Sequence, residues 1–286
     1  MATEDSVNSA KKMPQPLKEA QHKPYKLGLA LSGGGARGFA HDGALMALEE
    51  AGLKPDVVAG VSAGSVIAVL HAAGVKPLEM AQLFASKGFR DFADLNLGHG
   101  GLFKIDKFQK FIVDALGGRT KLEELDIPIY LGVTNLDSGK PDSFSSGEIG
   151  PRMIASCSIP IVFSPVLIDG VHYVDGGVLR NHPAWIIRDK CETLIGINVS
   201  PLRPVSKYKS LVNVALRTYN LMAKANQAQD MALCDISVQT PEIAGIMPFE
   251  LKYIKQIFVC GYMHTRRALI DAGLWPHPVK ELSKKE

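Results

Sequence analysis

Short unbroken apolar runs alternate with longer stretches in which apolar side chains recur every three or four positions, and this alternation persists over most of the 286 residues. Leu27 to Leu31, Val57 to Ala59 and Pro128 to Thr134 are too short for helices and have no polar alternation, as expected of parallel strands covered on both faces. Residues 165–168, 171–174, 193–199 and 235–239 read as further strands, the first two joined by an Asp169-Gly170 hairpin turn. Helical spacing covers 39–50, the stretch from Ala63 towards Gly74, 77–87, 106–116, 151–157, 183–189, 205–229 and 249–272. Gly52 and Gly117-Gly118 stand where helices should close, and Pro55 keeps the chain from resuming the first. Residues 137–147, rich in Ser, Gly, Asp and Pro, predict a turn or hairpin. Gly88 to Gly101 has no clear period and reads either as a lid or as a surface connection. This order of elements predicts an α/β fold with a largely parallel sheet.

Composition narrows the reading. Apolar residues make up 46% and charged residues 21%, enough for one substantial core, so 26–275 is expected to form one domain between a loose tail at 1–25 and a frayed terminus at 276–286. The net charge of +3 is the difference between 32 basic and 29 acidic side chains with no dense basic cluster, which excludes nucleic acid as the expected partner and gives no electrostatic case for a membrane. Cys157, Cys191, Cys234 and Cys260 lie far apart without metal-type spacing and read as reduced core thiols of a cytoplasmic protein. The tail, with Pro14 and Pro16, lacks the apolar centre of a secretory signal. Residues 57–75 carry no formal charge, but Gly60, Ser62, Gly64, Ser65 and His71 dilute the run, which reads as a buried strand turning into a buried helix rather than a membrane span.

Two sharp turns carry the chemistry. Gly60-Val61-Ser62-Ala63-Gly64 fits the G-x-S-x-G pattern and falls where a strand gives way to a helix, the context in which a serine is pushed outward as a nucleophile. Side chains at 60 or 64 would collide with neighbouring backbone in so tight a turn. Upstream, Gly33, Gly35 and Gly38 also satisfy G-x-G-x-x-G after a strand, which raises a dinucleotide site; Asp56, however, precedes the second strand instead of ending it. The competing reading is an anion nest of successive N–H groups from Gly33 to Ala36, with Arg37 adding or bracing positive charge. Asp175-Gly176-Gly177 ends a strand, and its glycines leave room for the carboxylate to approach another strand's end. For a serine that needs a base, His41, His182, His264 and His277 are histidines to weigh; neither His182 nor His264 reads as a loop histidine poised over Ser62. His41 lies on the helix after the glycine turn and could come close, yet needs no catalytic role as a packing residue.

The blocks Gly33-Gly34-Gly35-Ala36-Arg37-Gly38, Gly60-Val61-Ser62-Ala63-Gly64 and Asp175-Gly176-Gly177 together resemble the patatin-like phospholipase family, as do Ala155-Ser156-Cys157-Ser158-Ile159-Pro160 with Phe163 and Pro165, and Asn181 with Pro183. The resemblance runs from about Lys26 to Val199. It implies a three-layer α/β/α fold and a serine lipid acyl hydrolase with a Ser62–Asp175 dyad and no catalytic histidine. Gly33, Gly34, Gly35, Arg37 and Gly38 would form the oxyanion hole, supported by Gly60, Gly64, Gly176 and Gly177. No cofactor or metal is implied, and the expected partner is a lipid ester, with transient contact at a membrane surface. Ile161 stands where relatives often carry a smaller residue. An acyltransferase or thioesterase on the same scaffold, or a lipid-binding module without turnover, are the alternatives.

Overall fold

The computed structural model describes residues 23–96, 100–208, 210–247 and 249–276. Most of both expected tails, and His277, lie outside these. In chain order the elements are β1 (Tyr25–Leu31), α1 (Phe39–Glu50), β2 (Val57–Val61), α2 (Ala63–Ala72), α3 (Pro77–Phe84), α4 (Phe89–Phe92), β3 (Asp94–Leu95) and β4 (Gly101–Lys104). There follow α5 (Asp106–Asp114), β5 (Ile129–Asn135), β6 (Lys140–Phe144), α6 (Ile149–Cys157), β7 (Ile161–Phe163), β8 (Val166–Ile168) and β9 (Val171–Asp175). The chain closes with α7 (Ala184–Ile187), β10 (Cys191–Asn198), α8 (Leu211–Ala225), α9 (Gln227–Met231), β11 (Ile236–Gln239) and α10 (Ile254–Asp271).

The central sheet runs β11-β10-β1-β2-β5-β9-β8, with β6 also paired to β5. Its first five strands are parallel, and β6, β8 and β9 add an antiparallel edge. Successive side chains face opposite sides of a strand, and the core divides accordingly. Leu29, Leu31, Val58, Leu131, Ile195 and Ile197 join the larger cluster with α1, α2 and α10, while Ala30, Val57, Ala59 and Leu194 pack on the other face against Ala184, Ile186 and Ile187 of α7. The result is α/β, a mostly parallel sheet between helices.

Three sequence expectations differ in detail. The helix expected over 205–229 is two: Ser210 caps α8 by accepting the Asn213 N–H, and Asn226 leaves helical geometry as its side chain donates to the Leu179 carbonyl. The last helix begins at Ile254, after a 3-10 turn. The aperiodic stretch 88–101 contains α4 and β3 and leads into β4; Asn96 ties it to Ser164 at 3.0 Å. No described helix is long and apolar enough to cross a membrane. All four cysteines are free thiols.

Candidate active site

Strand register brings Ser62 and Asp175 together. Val61 of β2 is opposite Gly132 of β5, and the next β5 residue, Val133, is opposite Asp175 of β9. The two residues therefore flank one strand, about 9–10 Å apart at the backbone, at the level of Val133 and one step beyond Gly132. A Cβ at Gly132 would come within 2.7 Å of Val61 Cγ2, and one at Gly176 within 2.6 Å of the Gly132 carbonyl. Bare backbone at 132 and 176 lets the two side chains converge over β5.

Ser62 has φ 53° and ψ −124°, a left-handed geometry strained for a residue with a Cβ, on the turn between β2 and α2. A Cβ at Gly60 would lie 2.6 Å from Ser65 Cα, and one at Gly64 would overlap the Leu31 carbonyl, so both glycines are set by close approach. The Ser62 N–H donates to Ser156 Oγ at 2.9 Å, and that hydroxyl donates to the Gly132 carbonyl at 2.7 Å. The Asp175 N–H donates to the Ser158 carbonyl at 2.9 Å. The end of α6 thus fixes the backbone of both residues, a role no isolated motif revealed although Ser156 and Ser158 sit in a block that carried the family resemblance.

Asp175 is wholly buried. Its Oδ1 accepts from the Gly177 N–H at 2.8 Å and from the Tyr219 hydroxyl at 2.9 Å. Among the described residues its Oδ2 has no hydrogen-bond partner, and the Ser62 hydroxyl is among the groups that favour the ionised carboxylate. Burial raises the Asp175 pKa to about 6, against the lowering effect of Gly177, Ser62 and Tyr219. A carboxylate so placed is ionised at neutral pH and basic enough to take a proton from a neighbouring hydroxyl.

The glycine turn divides its tasks. Gly33 is committed to Asn181, whose carbonyl accepts its N–H at 3.2 Å. The Gly33 carbonyl is held by the Ser200 and Asn181 side chains, and the Gly34 carbonyl by Arg37 Nε at 3.1 Å. In a trans peptide N–H and C=O point oppositely, so clamping these two carbonyls turns the Gly34 and Gly35 N–H groups the other way. Neither donates a hydrogen bond among the described residues. Arg37 is buried; its other nitrogens reach the Pro201 carbonyl at 3.0 Å and Asn220 at 3.4 Å, and burial lowers its pKa to about 10. At Gly38 the missing side chain admits Ala63, whose Cβ would lie 2.7 Å from a Cβ there.

Ser62, Ala63, Gly35 and Gly38 line a cavity of about 150 Å³ whose walls are otherwise apolar: Phe39, Val66, Ile67, Phe84, Phe92, Phe108, Ile159, Phe163 and Phe249 among them. Phe84 stacks edge-on against Phe39 at 5.2 Å and Phe92 at 5.8 Å. Phe92 and Ala93, from the stretch read as a lid or connection, belong to the wall.

No described histidine hydrogen-bonds to Ser62. His41 is buried with Nε2 at 2.8 Å from the Ser32 carbonyl, and burial lowers its pKa to about 4; that of buried His182 falls to about 3. His264 pairs with Glu242 at 2.7 Å. With Cys260, one helical turn away on α10, these two bring three ligand-type atoms within 4.8 Å, but none of the three lines the cavity. Asp56 accepts the Lys26 and Leu27 N–H groups at the amino end of the sheet, far from where a ribose would bind.

The family model described as patatin-like phospholipase matches residues 29–187. An uncharacterised NTE family protein of Mycobacterium tuberculosis is 30% identical over 206 residues, 71% of this chain and 57% of the relative. Lysophospholipase nte1 of Aspergillus fumigatus is 33% identical over 161 residues, 54% of this chain and 10% of that protein. This chain thus matches little over half of the bacterial relative's length and a small part of the fungal one. Among solved structures, VipD from Legionella pneumophila shares the fold with a TM-score of 0.58 at 16% identity, covering 87% of this chain and 67% of that one.

Proposed function

The chain belongs to the patatin-like phospholipase family, and from that premise we propose that it is a serine lipid acyl hydrolase working with a Ser62–Asp175 dyad. What carries this reading is a strained serine that lines an apolar cavity, with a buried carboxylate of raised pKa behind it. Asp175 takes the Ser62 hydroxyl proton as Oγ bonds to the ester carbonyl carbon, and the carbonyl electron pair moves onto oxygen. The Gly34 and Gly35 N–H groups receive that oxyanion, with Gly33 and Arg37 holding the loop in shape and Gly38 letting it approach α2. Collapse expels the alcohol, which takes the proton from Asp175. Water then attacks the acyl-serine in the same way and releases the acid.

The apolar wall suits an acyl chain, and a lipid with one chain, the substrate type in the fungal relatives' name, is the first to try. Leu95, Leu102 and Ile161 are exposed on the small β3-β4-β7 sheet whose Phe163 lines the cavity, an arrangement suited to transient contact with a lipid surface. Residues 26–275 are taken as the catalytic domain, with Phe92 and Ala93 of the 88–101 stretch contributing to the cavity wall. The test is labelling by a fluorophosphonate probe together with hydrolysis of a p-nitrophenyl ester. Both are expected to vanish in Ser62→Ala and to fall by at least about a hundredfold in Asp175→Asn. Full labelling of Ser62→Ala would remove the serine from the reaction.

A further inference from the structure

The proposed dyad has a third member that no motif announces. Tyr219 enters from α8, outside the residues 29–187 that the family model matches, and its side chain is buried against the Asp-Gly-Gly turn. Its hydroxyl donates to Asp175 Oδ1 at 2.9 Å. Gly177 makes room for it: a Cβ at 177 would overlap the phenol oxygen and lie 2.8 Å from Cζ. The last glycine of the turn therefore has a partner in space, the tyrosine ring.

We propose that Tyr219 is a positioning residue for the dyad, locking one oxygen of the Asp175 carboxylate so that the other is left for Ser62 and the group stays ionised. This rests on the Ser62–Asp175 reading above. A phenol could in principle be the base itself. Burial and the adjacent carboxylate, however, raise the Tyr219 pKa well above its ordinary value, so it remains a protonated donor. Other groups facing Asp175 are the Ser62 hydroxyl on the elbow, the Gly177 N–H of its own turn and the Cys157 thiol at the end of α6, which burial keeps neutral. Arg37 adds positive charge beside Tyr219, held by carbonyl oxygens and Asn220. Two donors on one carboxylate oxygen offset part of the cost of burying the charge. Removing one of them should make Asp175 harder to ionise.

The experiment is Tyr219→Phe in the full chain, which keeps the ring and deletes the hydroxyl. Probe labelling of Ser62 and the kcat and KM for a p-nitrophenyl ester are followed across the acid and neutral range, with a thermal melt as the check on folding. The acid limb of kcat is expected to move up by about one pH unit, roughly tenfold in rate on the acid side, with KM unchanged. Gly177→Ala, which expels the phenol oxygen while keeping the tyrosine, should move the limb in the same direction. An acid limb in Tyr219→Phe that coincides with that of the parent protein overturns the proposal. Loss of the dyad reading itself has a different signature, labelling that survives Ser62→Ala.

Discussion

At the scale of the residue, Asp175 shows how the proposed function would be set against stability. Its ordinary pKa of 3.8 rises to about 6 in the folded protein because burial penalises the charge. The folded state therefore holds a proton that the unfolded chain releases, and the linked stability is fully present below the unfolded value and lost as pH rises through the folded one. At neutral pH the ionised carboxylate lowers stability by on the order of 2–3 kcal/mol. Asp175→Asn keeps an oxygen for Gly177 and Tyr219 and removes the charge. Paired urea melts should find this variant more stable than the parent at neutral pH, with the difference closing towards about pH 4. Equal stability at both ends would show that the burial cost is not borne by this group. Ser62 is a second such position: its left-handed backbone is strained, and the proposed reaction needs its hydroxyl clear of strand and helix.

At the scale of the element, the end of α6 ties the elbow to the aspartate strand. Ser156 bridges the Ser62 N–H and the Gly132 carbonyl, so Ser156→Ala would leave a buried donor and a buried acceptor each short of a partner. A loss of about 1–3 kcal/mol in denaturant unfolding is expected, together with slower probe labelling as the elbow loosens. Unchanged labelling would mean that β2 and α2 hold the turn unaided. Most element positions, from β1 and α1 to the Asp169-Gly170 hairpin, were legible in the sequence because each rests on local signals: an apolar period, a capping glycine, a turn pair. Where local signals misled, a side chain had found a distant partner. Asn226 breaks the long helix by reaching Leu179, 47 positions earlier.

Across the whole molecule, the sheet is backed by helices that come late in the chain. α10 packs directly on α1: a Cβ at Gly261 would overlap the Ala40 carbonyl, and one at Gly43 would lie 2.8 Å from Tyr262 N. The glycines bring two helix backbones into contact. Gly261→Val should therefore cost more than about 3 kcal/mol or prevent folding, read by thermal melt and by yield of soluble protein. A variant that melts with the parent would place α10 outside the cooperative unit. By this packing, the C-terminal region beyond the matched 29–187 is part of the core and, through Tyr219, of the proposed site.

The sequence by itself determined the α/β order of elements, the glycine turn, the serine elbow and the Asp-Gly-Gly turn, since each depends on neighbours within a few positions. The placing of Ser62 and Asp175 on either side of β5, the hold of α6 on both, and the arrival of Tyr219 were decided only in three dimensions. The reason is physical. Strand register and helix packing join residues separated by tens to more than a hundred positions, and a serine, a glycine or a tyrosine within a regular element carries no local mark of the partner it will meet.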